Sequence, residues 1–198
     1  NNSLLEMAEA AHDLGLEYLG IADHSKASFQ ANGLNELRLR EQISEIRALN
    51  EQFDDFALIA GSEVDILKDG SLDFDDDLLQ ELDYCVASVH NSFTLDEDTM
   101  TKRIIRAMEN EHVTMLGHVT GRLLLKRDPY AVNIEKIIAC ASETRTVIEL
   151  NCSPYRLDMD WRWWNKAREK NVLCSINPDA HRIQQFQSLS YGVRLARK

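Results

Sequence analysis

Tyr84-Cys-Val-Ala-Ser-Val-His90 is a short apolar run that ends on a histidine. An unbroken run of this length reads as a strand buried on both faces, the kind found in parallel sheets covered by helices. The same pattern recurs outward in both directions. Upstream, Tyr18-Leu-Gly-Ile-Ala22 runs into Asp23-His24, and Ala57-Leu-Ile-Ala60 runs into Gly61-Ser-Glu63. Downstream, Val113-Thr-Met-Leu116 meets Gly117-His118, Thr146-Val-Ile-Glu-Leu150 carries Glu149 and leads to Asn151, and Asn171-Val-Leu-Cys-Ser-Ile176 leads to Asp179-Ala-His181.

Helical patterns separate these six strands. Leu4, Leu5, Ala8, Ala11 and Leu14 recur at helical spacing behind Ser3, a natural N-cap, and Gly15 stops the helix. Leu34, Leu37, Ile43, Ile46 and Leu49 mark a second helix, residues 99–110 a third, and residues 133–143 a fourth. Asp160 caps a helix through Trp161, Trp164 and Ala167, and Tyr191 to Lys198 reads as an unfinished one. Strands alternating with helices give an α/β class, and no linker or low-complexity break divides the chain. Residues 1–198 are therefore expected to form one domain, a fragment truncated at both ends.

The composition agrees: 198 residues, 44% hydrophobic and 28% charged with 3 prolines, suit one packed core and not a disordered or fibrous chain. The net charge of −11 argues against a sequence-independent nucleic-acid binder, but the total conceals an asymmetry. Residues 1–98 carry 23 acids and 5 bases, whereas residues 99–198 carry 10 acids and 17 bases, so an anionic substrate can meet the second half favourably. No apolar run is long enough to span a bilayer and the first residues do not resemble a signal peptide, so a cytoplasmic location is expected. Cys85, Cys140, Cys152 and Cys174 are widely spaced beside apolar runs and are expected to be reduced and buried.

The chemistry lies at the strand ends. Positions 24, 63, 90, 118, 149 and 179 are 27 to 39 residues apart, close to one β/α unit. Side chains at the carboxyl ends of successive parallel strands converge on one face, where such folds place their active sites. Six of the residues there form a candidate metal set: His24, Glu63, His90, His118, Asp179 and His181. Mixed imidazole and carboxylate donors suit zinc, manganese or iron. Six donors exceed one tetrahedral ion, so two or three divalent ions are expected, and such clusters activate water for in-line attack on phosphorus. His12 and His112 lie in helical or helix-end stretches and are left outside the site.

Arg122 and Arg156 follow strand ends and are candidate phosphate-binding residues, with Lys126 and Arg127 weaker ones. The acidic stretch Asp69 to Asp83 reads as a solvated loop, because Leu78 and Tyr84 occupy positions where a calcium loop requires glycine and glutamate. Of three tryptophans able to stack on a base, Trp161 and Trp164 are expected in the core and Trp163 to be freer.

The segments Gly20-Ile-Ala-Asp-His-Ser25, Gly61-Ser-Glu-Val-Asp65, Ala87-Ser-Val-His90, Gly117-His-Val-Thr-Gly-Arg122, Glu149-Leu-Asn-Cys-Ser-Pro-Tyr-Arg-Leu-Asp158 and Asn177-Pro-Asp-Ala-His181 resemble a PHP (polymerase and histidinol phosphatase) domain. The resemblance is closest to the PHP domain at the carboxyl end of bacterial and archaeal family X DNA polymerases. It implies a distorted (β/α)7 TIM-like barrel with a trinuclear site in which the six residues named above are ligands. It implies a metal-dependent phosphoesterase, a manganese-dependent 3'-5' exonuclease acting on DNA 3' ends beside a linked polymerase domain, with Arg122 and Arg156 on the phosphate. A histidinol-phosphate-type phosphatase acting on a phosphorylated small molecule, or a structural module without catalysis, are the alternatives. The family opens with a strand carrying His-x-His, which is not found in these residues, so that strand is expected upstream of Asn1.

Overall fold

The structure is a computed structural model and describes residues 2–197. In chain order the elements are α1 (Leu4–Asp13), β1 (Tyr18–His24), α2 (Glu36–Asn50), β2 (Ala57–Asp65), α3 (Asp76–Leu79), β3 (Tyr84–Ser88), α4 (Glu97–Met108), β4 (Met115–Leu116), α5 (Ile134–Thr144), β5 (Val147–Asn151), α6 (Trp164–Glu169), β6 (Cys174–Asn177) and α7 (Leu189–Ala196). All strand pairs are parallel and each strand lies beside its sequence neighbour, in the order β1 to β6. That order is the wall of a barrel, not a doubly wound sheet with a switch point.

The wall is curled. Six strands spaced as in a flat sheet would hold the first and last about 24 Å apart. Yet His24, at the end of β1, has its ring centroid 6.2 Å from that of His181, just past β6. Among the described residues β1 and β6 pair on one side only, so the barrel is open between them.

Local chemistry accounts for the elements. Ser3 and Glu6 form a reciprocal capping box at α1, with Glu6 N–H donating to Ser3 Oγ (3.2 Å) and Ser3 N–H to Glu6 Oε2 (2.8 Å). Asn35, Asp96 and Asn133 cap α2, α4 and α5 in the same way through one side-chain oxygen each. Two buried clusters cover the sheet. One joins α4 and α5 to β2 through β5 by way of Val64, Leu116, Ile137 and Ile148. The other joins α1 and α2 to β1 and β2 through Ala8, Ile21, Ile46, Leu58 and Phe186.

Three expectations change here. Cys85, Cys140 and Cys152 are buried free thiols, but Cys174 is exposed because β6 is an edge strand. The acidic stretch is more ordered than a solvated loop: Asp73 accepts the Ala27 N–H (2.7 Å), and Asp83 accepts both the Ala60 N–H (2.8 Å) and a bidentate Arg47 (2.7 and 2.6 Å). Two of the tryptophans exchange places, while Trp164 packs on the core as expected. Residues 161–163 form a 3₁₀ turn and the α-helix starts only at Trp164, so helical spacing does not extend back to Trp161. Trp161 is 50% exposed, while Trp163 and Trp164 pack on the core.

Candidate metal centre

The β1/β2 register sets His24 directly beside Glu63. β3 delivers His90 two residues past its last position, and His118 follows β4 by the same interval. Three imidazoles therefore surround one carboxylate. His24 Nδ1 lies 3.2 Å from Glu63 Oε2, while His90 Nε2 and His118 Nε2 lie 3.3 and 3.0 Å from Glu63 Oε1. Neighbouring rings meet edge to face, with centroids 4.8 Å apart for His24 and His90 and 5.1 Å for His90 and His118.

Burial opposes the charged form of each group, and the neighbours decide the outcome. Glu63 would be raised by desolvation, but His118 and His90 outweigh it and hold the carboxyl well below the usual range. Burial lowers the pKa of His24. His90 is also desolvated, but its contacts with Asp65 and Glu63 win and lift it to about 9.

This cluster fits divalent metal. His24 Nδ1 and His90 Nε2 are buried with no hydrogen-bond partner, although each faces a carboxylate oxygen. Buried polar atoms left unpartnered need a physical reason, and a cation between imidazole lone pairs and a carboxylate supplies one. Donor atoms of His24, Glu63 and His90 all lie within 4.8 Å of one another.

A cavity of about 240 Å³ gathers the remaining candidates. All six donors expected from the sequence line it, as does Arg156. Asp179 holds its part of the wall through three partners. Its Oδ2 accepts from Asn151 Nδ2 (3.0 Å) and lies 3.3 Å from Arg156 Nε, and its carbonyl lies 3.0 Å from His181 Nδ1. His181 sits at the rim, its side chain 61% exposed. Glu149 lies beneath. It accepts the His118 backbone N–H (2.6 Å) and Asn177 Nδ2 (3.0 Å), and burial raises its carboxyl to about 7.

Arg122 is placed differently. Its Nε donates to the Arg156 carbonyl (2.9 Å), Nη2 to the Leu157 carbonyl, and Nη1 to Asp160 Oδ2 (3.1 Å). Its charge is therefore spent on the 156–160 loop, and it does not line the cavity. It holds the turn that carries Arg156. Arg127 stacks over Phe93 at 4.4 Å and donates to the Gly121 carbonyl, again away from the cavity. His12 pairs with Asp55 at 3.1 Å, outside the site.

Asp65 was missed as a functional residue. It is fully buried, accepts from Ser28 Oγ (2.6 Å), and lies 3.2 Å from His90 Nδ1, which leaves Nε2 turned toward Glu63. Glu63 and Asp65 are two apart on one strand and so share a face. That period is the signal, and it is visible only once β2 is known to continue through Asp65.

Gly33 is a close packing point beside His24. Leu34 N–H donates to the His24 carbonyl (2.8 Å), and a Cβ at Gly33 would sit 1.8 Å from the Ser25 carbonyl oxygen. Backbone cannot swing aside as a long side chain would. Gly33→Ala should therefore cost about 3 kcal/mol in urea unfolding and weaken metal binding through His24. A loss under about 0.5 kcal/mol, the usual limit for harmless surface changes, would show that the 25–34 contact yields freely.

No family model matches the sequence. The chain is 44% identical, over 196 residues and 99% of its length, to the DNA polymerase/3'-5' exonuclease PolX of Bacillus subtilis (strain 168), and covers 34% of that protein. It thus spans about a third of that relative's length. It is 27% identical to a probable phosphatase of Thermoanaerobacter sp. (strain X514), over 91% of this chain and 73% of that one. Among solved structures, histidinol phosphate phosphatase from Lactococcus lactis subsp. lactis Il1403, complexed with zinc, L-histidinol and phosphate, superposes with a TM-score of 0.67. That match covers 100% of this chain and 87% of the other at 14% identity, a likeness of fold. Among the described residues no helix is long and apolar enough to cross a membrane.

Proposed function

This chain is a PHP domain, and from that premise we propose that it is a metal-dependent phosphoesterase that removes nucleotides from DNA 3' ends beside a polymerase domain. The observation that carries the reading is the convergence of four imidazoles and two carboxylates on one cavity, with buried nitrogens lacking partners and Arg156 on the wall.

His24, Glu63 and His90 would hold one ion, and His118, Asp179 and His181 would complete a cluster of two or three. Manganese, zinc or iron suits these donors. When bound, such ions polarise phosphoryl oxygens and acidify water for attack at phosphorus. The protein's own groups do the rest. Arg156 offers planar donors to a non-bridging phosphate oxygen, in competition with Asp179, its partner in the free protein. Asp65 keeps the His90 ring turned to present Nε2. Glu149 anchors the His118 backbone, and Arg122 keeps the Arg156 turn in register with the cavity.

A manganese or zinc titration with a 5'-labelled single-stranded oligonucleotide and, in parallel, p-nitrophenyl phosphate tests the reading. Metal-dependent shortening of the oligonucleotide is expected. Hydrolysis of the monoester alone would favour a small-molecule phosphatase, as the fold likeness to histidinol phosphate phosphatase would suggest. Metal binding without turnover of either substrate would leave a structural module.

A further inference from the structure

Two loops meet beside the cavity, and the metal chemistry uses neither tip. Residues 122–129 enclose a second space of about 430 Å³. Leu124 N–H donates to the Tyr155 carbonyl (2.7 Å), so this loop is tied to the 153–157 turn backbone to backbone. Over that tie, Lys126 Nζ lies 5.3 Å from the centre of the Tyr155 ring. Tyr155 is 59% exposed. Leu125 is fully exposed, with φ at +63°. A left-handed backbone is costly for a leucine, and an exposed side chain recovers nothing by burial. The fold gains no stability from an apolar side chain at this tip.

The position is informative. Tyr155 immediately precedes Arg156, whose guanidinium lines the cavity, and Arg122 locks that same turn. A ligand with phosphate at Arg156 would therefore sit next to the loop that carries Tyr155 and the Lys126 tip tied to it. The charge there is positive: among the described residues Lys126 and Arg127 form no ion pair, and Asp128 is the only acid in the 122–129 loop. An exposed aromatic ring with a lysine over it that forms no ion pair among the described residues is the recognition chemistry of a nucleobase attached to a phosphate chain. A free phosphomonoester would not extend that far.

We propose that Tyr155, with Lys126 and Leu125, forms the subsite for the base next to the phosphodiester, and so sets a preference for single-stranded nucleic acid over small phosphomonoesters. This deepens the phosphoesterase reading above and rests on it for the phosphate at Arg156.

Fluorescence anisotropy of a labelled octathymidylate, measured in EDTA so that nothing is cleaved, tests the platform separately from turnover. Tyr155→Ala should bind about 10-fold more weakly and Tyr155→Phe within about twofold of wild type, because the ring face and not the hydroxyl does the stacking. Lys126→Glu should weaken binding by a similar factor and lower the salt slope by about one. Circular dichroism checks that each variant is folded. With metal restored, Tyr155→Ala should lower the ratio of oligonucleotide to p-nitrophenyl phosphate kcat/KM. Wild-type binding by Tyr155→Ala, or no oligonucleotide binding by the wild type, would overturn the proposal. So would self-association that Leu125→Asp abolishes while oligonucleotide affinity stays intact, which would make the tip a protein contact. Binding through Tyr155 without hydrolysis of either substrate would instead overturn the phosphoesterase reading and leave the platform standing.

Discussion

Glu63→Gln is expected to lower affinity for manganese or zinc by at least about 100-fold, since loss of a mere supporting partner behind a metal ligand already costs 10–100-fold. Glu63 is the hub. Its two oxygens face His24, His90 and His118 within 3.3 Å, so one carboxylate meets all three rings. Glutamine keeps the shape but removes the charge and turns an N–H₂ donor toward imidazoles that must present lone pairs. Isothermal titration of the metal-free protein reads this directly. Unchanged affinity would remove Glu63 from the ligand set and leave the converging histidines without their purpose.

The same substitution has a pH signature in the chelated protein. His90, lifted to about 9, contributes stability that is whole below the unfolded value of about 6.5 and is lost as pH rises through about 9. The wild-type Tm should fall across that window. In Glu63→Gln, with one of the two carboxylates at His90 gone, the decline should be shallower. Parallel Tm curves for the two proteins would show that Glu63 does not hold the His90 proton.

How much of this was legible beforehand follows from the physics of each element. The six strands were, because each carries an apolar run, buried in the central β3, β4 and β5 and half-exposed in the edge strands β1 and β6. The longer helices were, because their caps and apolar stripes are local; the single turn of α3, inside the acidic stretch, carries too short a stripe to read. β2 was misjudged. Its apolar run stops at Ala60, but the strand continues through Gly61-Ser62-Glu63 to Asp65, so polar residues of the site lie within the strand and not after it. The six donors could be placed on one face because position at the end of a parallel strand is itself a coordinate. Arg122 could not. Its loop position is local, but Asp160, which takes its charge, and the Arg156 carbonyl are 34 and more residues away. Asp65 was hidden for the same reason, since its meaning depends on His90 across the β2/β3 seam.

Arg103→Met should cost about 3–5 kcal/mol, although Arg103 touches no site residue directly. Arg103 lies on α4 and is 3% exposed, without a carboxylate partner among the described residues. Its guanidinium donates to the Leu67 carbonyl (2.8 Å), the Ile66 carbonyl, the Asn91 carbonyl (3.0 Å) and Asn91 Oδ1 (3.0 Å). Ile66 and Leu67 follow Asp65, and Asn91 follows His90. One side chain thus staples together the two strand ends that carry Asp65 and His90, beyond the last pair of their ladder. Methionine fills the volume but takes this donor away from the Ile66 and Asn91 carbonyls and from Asn91 Oδ1, while the Leu67 carbonyl keeps the Gly70 N–H (2.9 Å). Lysine should recover little of the loss, because one compact ammonium cannot span both loops as a planar fork does. Urea unfolding gives the energy, and hydrogen exchange should rise at residues 65–68 and 89–92 in the variant before it rises at β5. The two effects should appear together, since the staple's loss frees the His90 turn from Asp65 as well as weakening the fold. A variant within about 1 kcal/mol of wild type, a typical mutational loss, would mean that water replaces the guanidinium at these carbonyls and that the two strand ends hold without it.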